Sequence, residues 1–272
     1  MLAALSAAAA ASLARADTPV AIDGVDRDTR EAILELLPDR DRPATLFEAE
    51  RIAEEAAARA MAWLRSEGYY AASVTPETTD EPPSARLVIA PGQRFRFAAP
   101  QLTYAGETPS ENAVAAARQA MAPITPGAPA RASAVLEAEA AALTALRRLG
   151  YADAEPGQRR IVVDHASSDV TAHFAIAAGA FARLGVLRAE PPDVLRDDFI
   201  ARVRNWGPGQ PYDPERLAQL RRNLITTGAM ARVSTRLEPV NGDGLRNVVL
   251  EIEPARRNAY ELGVGYSTTE GV

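Results

Sequence analysis

Met61-Ala-Trp-Leu-Arg-Ser-Glu-Gly-Tyr-Tyr70 reads as a helix that runs into a glycine and leaves it as a strand. The chain repeats this at Thr144-Ala-Leu-Arg-Arg-Leu-Gly-Tyr151 and at Arg221-Arg-Asn-Leu-Ile-Thr-Thr-Gly-Ala-Met230. The landmark glycines are Gly68, Gly150 and Gly228, 82 and 78 residues apart. A landmark at nearly constant pitch marks one structural unit used three times. The residue after a helix commonly takes the left-handed conformation, which glycine adopts without a Cβ penalty.

Three units in 272 residues leaves about 80 residues each, a size that buries a modest core and gains from packing end to end. The net charge of −6 argues against a nucleic-acid partner, which needs a clustered basic face. The absence of cysteine removes disulfides, thiol nucleophiles and thiolate metal sites together. Leu2 to Ala14 is an uncharged run followed by Ala14-Arg15-Ala16, a small-x-small cleavage pattern. Residues 1–16 therefore read as a secretory signal peptide, although no basic residue precedes the apolar run. That run is too short to span a bilayer.

Each unit reads as strand, helix, helix, strand, strand. In the first, Pro19 to Asp23 is a strand, Arg27 to Leu37 and Leu46 to Ser66 are helices, and Pro38 to Pro43 is a charged turn. The longer helix offers Phe47, Ile52, Ala56, Ala60, Trp63 and Leu64 as its buried stripe; Tyr69 to Pro76 is extended and Arg86 to Ile89 is a buried strand. In the second, Gln101 to Tyr104 opens the unit, Glu111 to Met121 and Ala132 to Leu149 are helices, and Pro126-Gly-Ala-Pro129 turns between them. An extended stretch with a bend at Pro156-Gly157 continues to Asp164, and Asp169 to Ile176 alternates as a half-buried strand. In the third, Leu184 to Leu187 is followed by a helix at Phe199 to Arg204, the matching turn Pro208-Gly-Gln-Pro211, and a helix capped by Asp213 with Pro214 at its first position. Ala231 to Glu238 and Asn247 to Glu253 close it as a strand pair. The units join almost without linkers, through Ile89-Ala-Pro-Gly92, Ile176-Ala-Ala-Gly179 and Ile252-Glu-Pro-Ala255.

Ala259 to Ser267 alternates Tyr260, Leu262, Val264 and Tyr266 against small or polar residues. A membrane-barrel strand has this pattern, and so has an ordinary amphipathic edge strand. Its position after the repeats favours the barrel, and a single such strand is not stable in a bilayer without partners. The chain is therefore expected to be part of a longer protein.

The repeated strand-helix-helix-strand-strand unit with Gly-Tyr after its second helix resembles the polypeptide-transport-associated (POTRA) domain. Asp164-His-Ala166, Phe181-Ala-Arg-Leu-Gly185, Pro208-Gly-Gln-Pro-Tyr212 and Tyr260-Glu-Leu-Gly-Val-Gly-Tyr266 resemble the domain junction, last domain and first barrel strand of the TamA branch of the BamA/TamA superfamily. The resemblance implies an α+β chain of three tandem POTRA domains, at residues 17–97, 98–180 and 181–256, with an outer-membrane β-barrel beginning at 257–272. It implies a periplasmic arm of a factor that assembles or translocates outer-membrane proteins, autotransporters among them, in a Gram-negative bacterium. The implied partners are outer-membrane protein clients, a TamB-like inner-membrane protein and outer-membrane lipid around the barrel. No cofactor and no enzymatic activity are implied. The alternatives are a two-partner-secretion or BamA-type transporter, or a soluble periplasmic enzyme or scaffold with similar repeats.

In that fold the third strand is central and the second lies at an open edge, where an extended client can add as a further strand. The edges expected are Ala71 to Pro76, Ala152 to Asp164 and Ala231 to Glu238, with Ala72, Ser73, Val74, Val233, Ser234 and Thr235 as candidate contacts. The divergent Gly228-Ala229-Met230 is expected to supply a surface that packs on the barrel.

Other constellations have plainer readings. Asp164, His165, Ser167 and Ser168 suggest a hydrolase triad, but neighbours at a strand end lack its geometry and make a polar turn. His165 and His173 are the only histidines, too few for a metal site without converging acids. Gly263-Val-Gly265 is followed by no helix and is not a nucleotide loop. Trp63, Tyr69 and Tyr70 read as packing residues. Arg147-Arg148, Arg159-Arg160 and Arg221-Arg222 read as solvated faces, and Arg256-Arg257 as a face that can meet lipid headgroups.

Overall fold

A computed structural model describes residues 19–192 and 195–255. The expected signal peptide at 1–16, the barrel strand at 257–272 and the Arg256-Arg257 pair lie outside the described residues.

The element order repeats three times. First come β1 (Val20–Asp23), α1 (Arg27–Glu35), α2 (Leu46–Ser66), β2 (Ser73–Thr79) and β3 (Ser84–Ala90). Next are β4 (Arg96–Phe97) and β5 (Gln101–Ala105), α3 (Glu111–Ala120), α4 (Ala132–Arg148), β6 (Glu155–Asp164) and β7 (Asp169–Ala177). Last are β8 (Leu184–Glu190), α5 (Asp197–Val203), α6 (Pro214–Thr226), β9 (Met230–Val240) and β10 (Arg246–Pro254).

The last strand of each repeat is central. β3 lies between β1, parallel to it, and β2, antiparallel. β10 lies between parallel β8 and antiparallel β9. β7 pairs β6 and, in parallel, both β4 and β5. The sequence shows why these strands take the centre, because their apolar residues fill one face without a gap. In β7, Val170, Ala172, Phe174 and Ile176 are buried while the residues between them are half-exposed. The short β4 was not expected. It belongs to the same edge as β5, from which it is separated by Ala98-Ala99-Pro100, and the proline has no N–H for a ladder.

Two compact units divide the described residues. The first runs to Ala105 and includes Ala115–Leu143 and Pro156–Ala177; the second holds Gly106–Val114, Thr144–Glu155 and the described residues from Ala178 on. The first unit contains a core in which Ile33, Ala56, Ala60 and Leu64 of the helices close over Val20, Ile22, Leu87 and Ile89. The second contains one in which Leu217, Leu220 and Leu224 of α6 meet Leu184, Val233, Leu250 and Ile252.

Helix starts follow local chemistry. Thr45 Oγ1 accepts the Glu48 N–H at 3.2 Å, and Asp213 Oδ1 accepts the Glu215 N–H at 2.9 Å, with Pro214 at the first helical position as expected. Phe47 departs from the expected buried stripe and is 76% exposed. The stripe runs Ala49, Ile52, Ala53, Ala56, Ala60, Leu64 at three- and four-residue steps, and Phe47 falls on the opposite side. Tyr69 to Ala72 also departs: it forms a turn, and the strand begins only at Ser73. Met230 is buried in the core of the third repeat itself while Gly228 and Ala229 are exposed; the barrel that this stretch is expected to meet lies outside the described residues.

Candidate functional site: joints and open strand edges

The landmark glycines take positive φ, +96° at Gly68, +99° at Gly150 and +70° at Gly228. The first two are also sockets for the segment that follows. The Phe95 N–H donates to the Gly68 carbonyl at 2.9 Å, and the Phe95 carbonyl accepts from Ala130 at 3.0 Å. Two residues on, the Phe97 N–H donates to Ala128 and its carbonyl accepts from Gly127. The second joint repeats the pattern atom for atom. Ala182 donates to the Gly150 carbonyl at 2.8 Å and accepts from Tyr212 at 2.9 Å, and Leu184 donates to Gln210 and accepts from Gly209. The proline-glycine turns that the sequence marks twice thus pair with the incoming chain, as the bridges Arg96–Pro129 and Arg183–Pro211 record.

Side chains reinforce each joint. At the first, Glu67 takes Arg94 at 2.7 Å and Arg131 at 3.1 Å, Arg94 lies over the Tyr69 ring, and Phe95 meets Tyr70 and His165 edge-on. Tyr69 and Tyr70 are therefore joint residues. At the second, Phe181 stands edge-on to Tyr151, whose hydroxyl accepts the Ser110 N–H, and Arg183 covers Phe181. A Cβ on Gly150 would overlap the Phe181 ring, and one on Gly68 would come within 3.1–3.4 Å of the Ala130 backbone. A Cβ on Gly228 meets nothing within 4 Å among the described residues.

These pairings decide which edges are left open. The bonds of Phe97 and Leu184 to the turns cover the outer side of β4 and the start of β8, and Trp206 Nε1 donates to the Gly185 carbonyl at 2.9 Å. On the other side of each central strand, β2, β6 and β9 have no further strand beside them among the described residues. Ser73 and Val74 lie on β2, and Val233, Ser234 and Thr235 on β9. Ala72 does not; it precedes β2 and packs against the first core, because the turn after Gly68 consumes four residues.

The two edges differ at one register position. Pro76 pairs with Leu87 and Thr235 with Leu250, and both leucines are fully buried two residues before the last isoleucine of the central strand. The β2 ladder runs unbroken through Pro76, so the proline nitrogen faces the open side. By equivalence Val233 and Thr235 direct their N–H groups outward. Pro76 blunts the first edge, whereas β9 carries no proline before Pro239.

A groove of about 420 Å³ flanks β9 on its helix side, with Tyr212, Leu217 and Arg221 on one wall and Thr235 and Leu237 on the other. Arg221 Nη1 donates to Thr235 Oγ1 at 2.7 Å, and Arg246 closes one end, bonded to Asp153 and to the Glu238 carbonyl. Burial pushes the Tyr212 hydroxyl above its ordinary pKa, against the pull of Arg147, Arg221 and Arg246. From sequence, Arg221 reads as part of a solvated face and Tyr212 only as the end of the Pro208-Gly-Gln-Pro-Tyr212 motif. The signal for Arg221 is positional: seven residues before the landmark glycine the other repeats carry Met61 and Leu143.

The apparent triad is a turn. Asp164 accepts the Ala166 N–H at 2.8 Å, which with Ser167 holds its carboxyl below the usual range, and Ser168 takes φ +60°. No group of three or more His, Asp or Glu residues able to hold a metal occurs among the described residues.

No family model and no curated protein matches the sequence. Solved structures do. POTRA domains 3–5 of BamA from Haemophilus influenzae superpose with a TM-score of 0.50 at 19% identity, covering 86% of this chain and 94% of that one. BamA from Haemophilus ducreyi lacking POTRA domains 1–3 matches with a TM-score of 0.50 at 17% identity, over 59% of this chain and 30% of that one. The described chain thus has the fold of consecutive POTRA domains.

Proposed function

We propose that the chain is the periplasmic arm of an outer-membrane protein and autotransporter assembly factor of the TamA branch. Residues 17–97, 98–180 and 181–256 are then three POTRA domains between a signal peptide and the opening of a barrel at 257–272. Outer-membrane protein clients, and a TamB-like inner-membrane partner, add to the arm as extra strands. The observation that carries this reading is the recurrent topology: the third strand is central, the first is partly covered by a turn in two repeats, and the second is open. An open edge bonds main chain to main chain and is largely indifferent to client sequence, as a handler of many unfolded clients requires.

Proline at Val233 and Thr235 tests it. Each substitution removes one outward donor worth about 0.5–1.5 kcal/mol, so the pair weakens binding of an extended outer-membrane strand peptide by about ten- to a hundredfold. Far-UV circular dichroism should stay unchanged, because these N–H groups make no bond to β10. Undiminished binding to a folded double variant would end the proposal. Sequencing the gene downstream of Val272 tests the barrel: a frame continuing in alternating strands of about ten residues is expected.

A further inference from the structure

The β9 groove has a chemical preference that its backbone does not supply. Arg221 is half-buried, bonds the neutral Thr235 hydroxyl, and pairs with no carboxylate of the described residues. Most of its neighbours are taken: Arg222 by Glu215, Arg216 by Asp213, Arg236 by Glu190 and Glu251, Arg246 by Asp153. A guanidinium has five N–H donors, and one hydroxyl leaves a planar face of them for an acceptor. The helix α6 that carries it packs chiefly over β9, so this cation stands beside the open edge.

Register says where a partner's side chain would fall. A strand added to β9 lies about 4.8 Å away, and residues directly opposite place their Cβ atoms about 4.5–5.5 Å apart on the same face. Thr235 turns its side chain to α6, as its bond to Arg221 shows, and Val233 and Leu237 share that face, one buried and one half-buried. We propose that the third repeat selects an extended segment with Asp or Glu opposite Thr235 and an apolar residue two positions to either side. Arg221 binds the carboxylate, and Val233 and Leu237 receive the apolar neighbours. This rests on strand addition at β9. The other repeats lack the device, since Met61 and Leu143 stand at the position of Arg221 and Pro76 at that of Thr235 in the first.

The test uses the full chain and two fluorescein-labelled decapeptides blocked at both ends. They alternate valine and threonine and differ only in a central Glu or Gln, and a third peptide carries Lys at that position. Fluorescence anisotropy at low salt should show the Glu peptide binding about two- to fivefold tighter, the upper range of a partly exposed ion pair. Arg221→Met should erase the preference, and Arg221→Glu should shift it to a Lys peptide. Equal binding of the Glu and Gln peptides to the unaltered chain overturns the selectivity and leaves strand addition standing. No binding of either peptide overturns both.

Discussion

Replacing each landmark glycine by alanine separates a helix cap from a joint. Alanine at positive φ costs about 1–2 kcal/mol, offset in part by the reduced freedom of the unfolded chain. At Gly228, where the added methyl meets nothing, that backbone term is the whole effect, about 1 kcal/mol. In a repeat of roughly 80 residues it lowers the melting temperature by about 4–8 °C. At Gly68 the methyl would sit 3.1–3.4 Å from the oxygen, nitrogen and carbon of Ala130, none of which can swing aside. Relief requires moving the segment whose bonds are Phe95 to Gly68 and Ala130 to Phe95, each worth about 0.5–1.5 kcal/mol. The expected total at Gly68 is about 3 kcal/mol. Gly150 falls between, because the obstructing Phe181 ring is partly exposed and can rotate, losing its edge contact with Tyr151 at about 0.5–1.5 kcal/mol. Thermal and urea unfolding followed by circular dichroism, with Trp63 and Trp206 reporting on the first and third repeats, measures all three. A Phe181→Ala background should reduce the Gly150→Ala penalty to that of Gly228→Ala. Equal penalties at the three glycines, or no rescue by Phe181→Ala, would show that they act as helix caps alone.

Other consequences can be checked separately. Tyr212 should ionise above pH 10: absorbance at 295 nm, with and without Tyr212→Phe, should assign one late-titrating hydroxyl to it. Its folded pKa is raised by desolvation, so its stabilising contribution is complete below pH 10 and disappears as pH rises through the folded value. Phe95→Ala should cost about 3–5 kcal/mol in urea unfolding, since the ring is 1% exposed between Tyr70 and His165. Asp213→Ala should cost about 0.5–2 kcal/mol by removing the cap of α6. Phe47→Ser should change stability by no more than about 0.5 kcal/mol, because its ring contacts no core cluster.

The architecture was legible where a residue acts through its own neighbours. Glycine after a helix, Asp213 before Pro214, and the alternation of β7 are local devices, and each stands where the sequence places it. Central strands were legible through unbroken apolar alternation. The boundary of β2 was not, because the turn after Gly68 closes with main-chain bonds such as Ala72 to Tyr69 that carry no side-chain signature. Phe47 was misjudged by counting hydrophobic residues without following the angle of the stripe. At the candidate site, Val233, Ser234 and Thr235 lie on the edge expected of them, while Ala72 does not reach its strand. Arg221 could not be found from charge alone. Its meaning depends on Thr235, fourteen residues away, and on which carboxylates the fold spends elsewhere.

The main-chain bonds of the two joints follow one pattern, and this bears on how such an array of repeats changes over evolutionary time. In the second repeat one copy carries both halves of the coupling: a proline-glycine turn that receives the incoming segment, and a glycine carbonyl that anchors the outgoing one. A duplicated copy would therefore arrive with main-chain fittings that match its neighbours. Lengthening or shortening the arm by whole repeats needs no matched pair of mutations across a new boundary. Surface residues such as Arg221 are then free to diverge copy by copy, giving each repeat its own taste in ligands on an unaltered mounting.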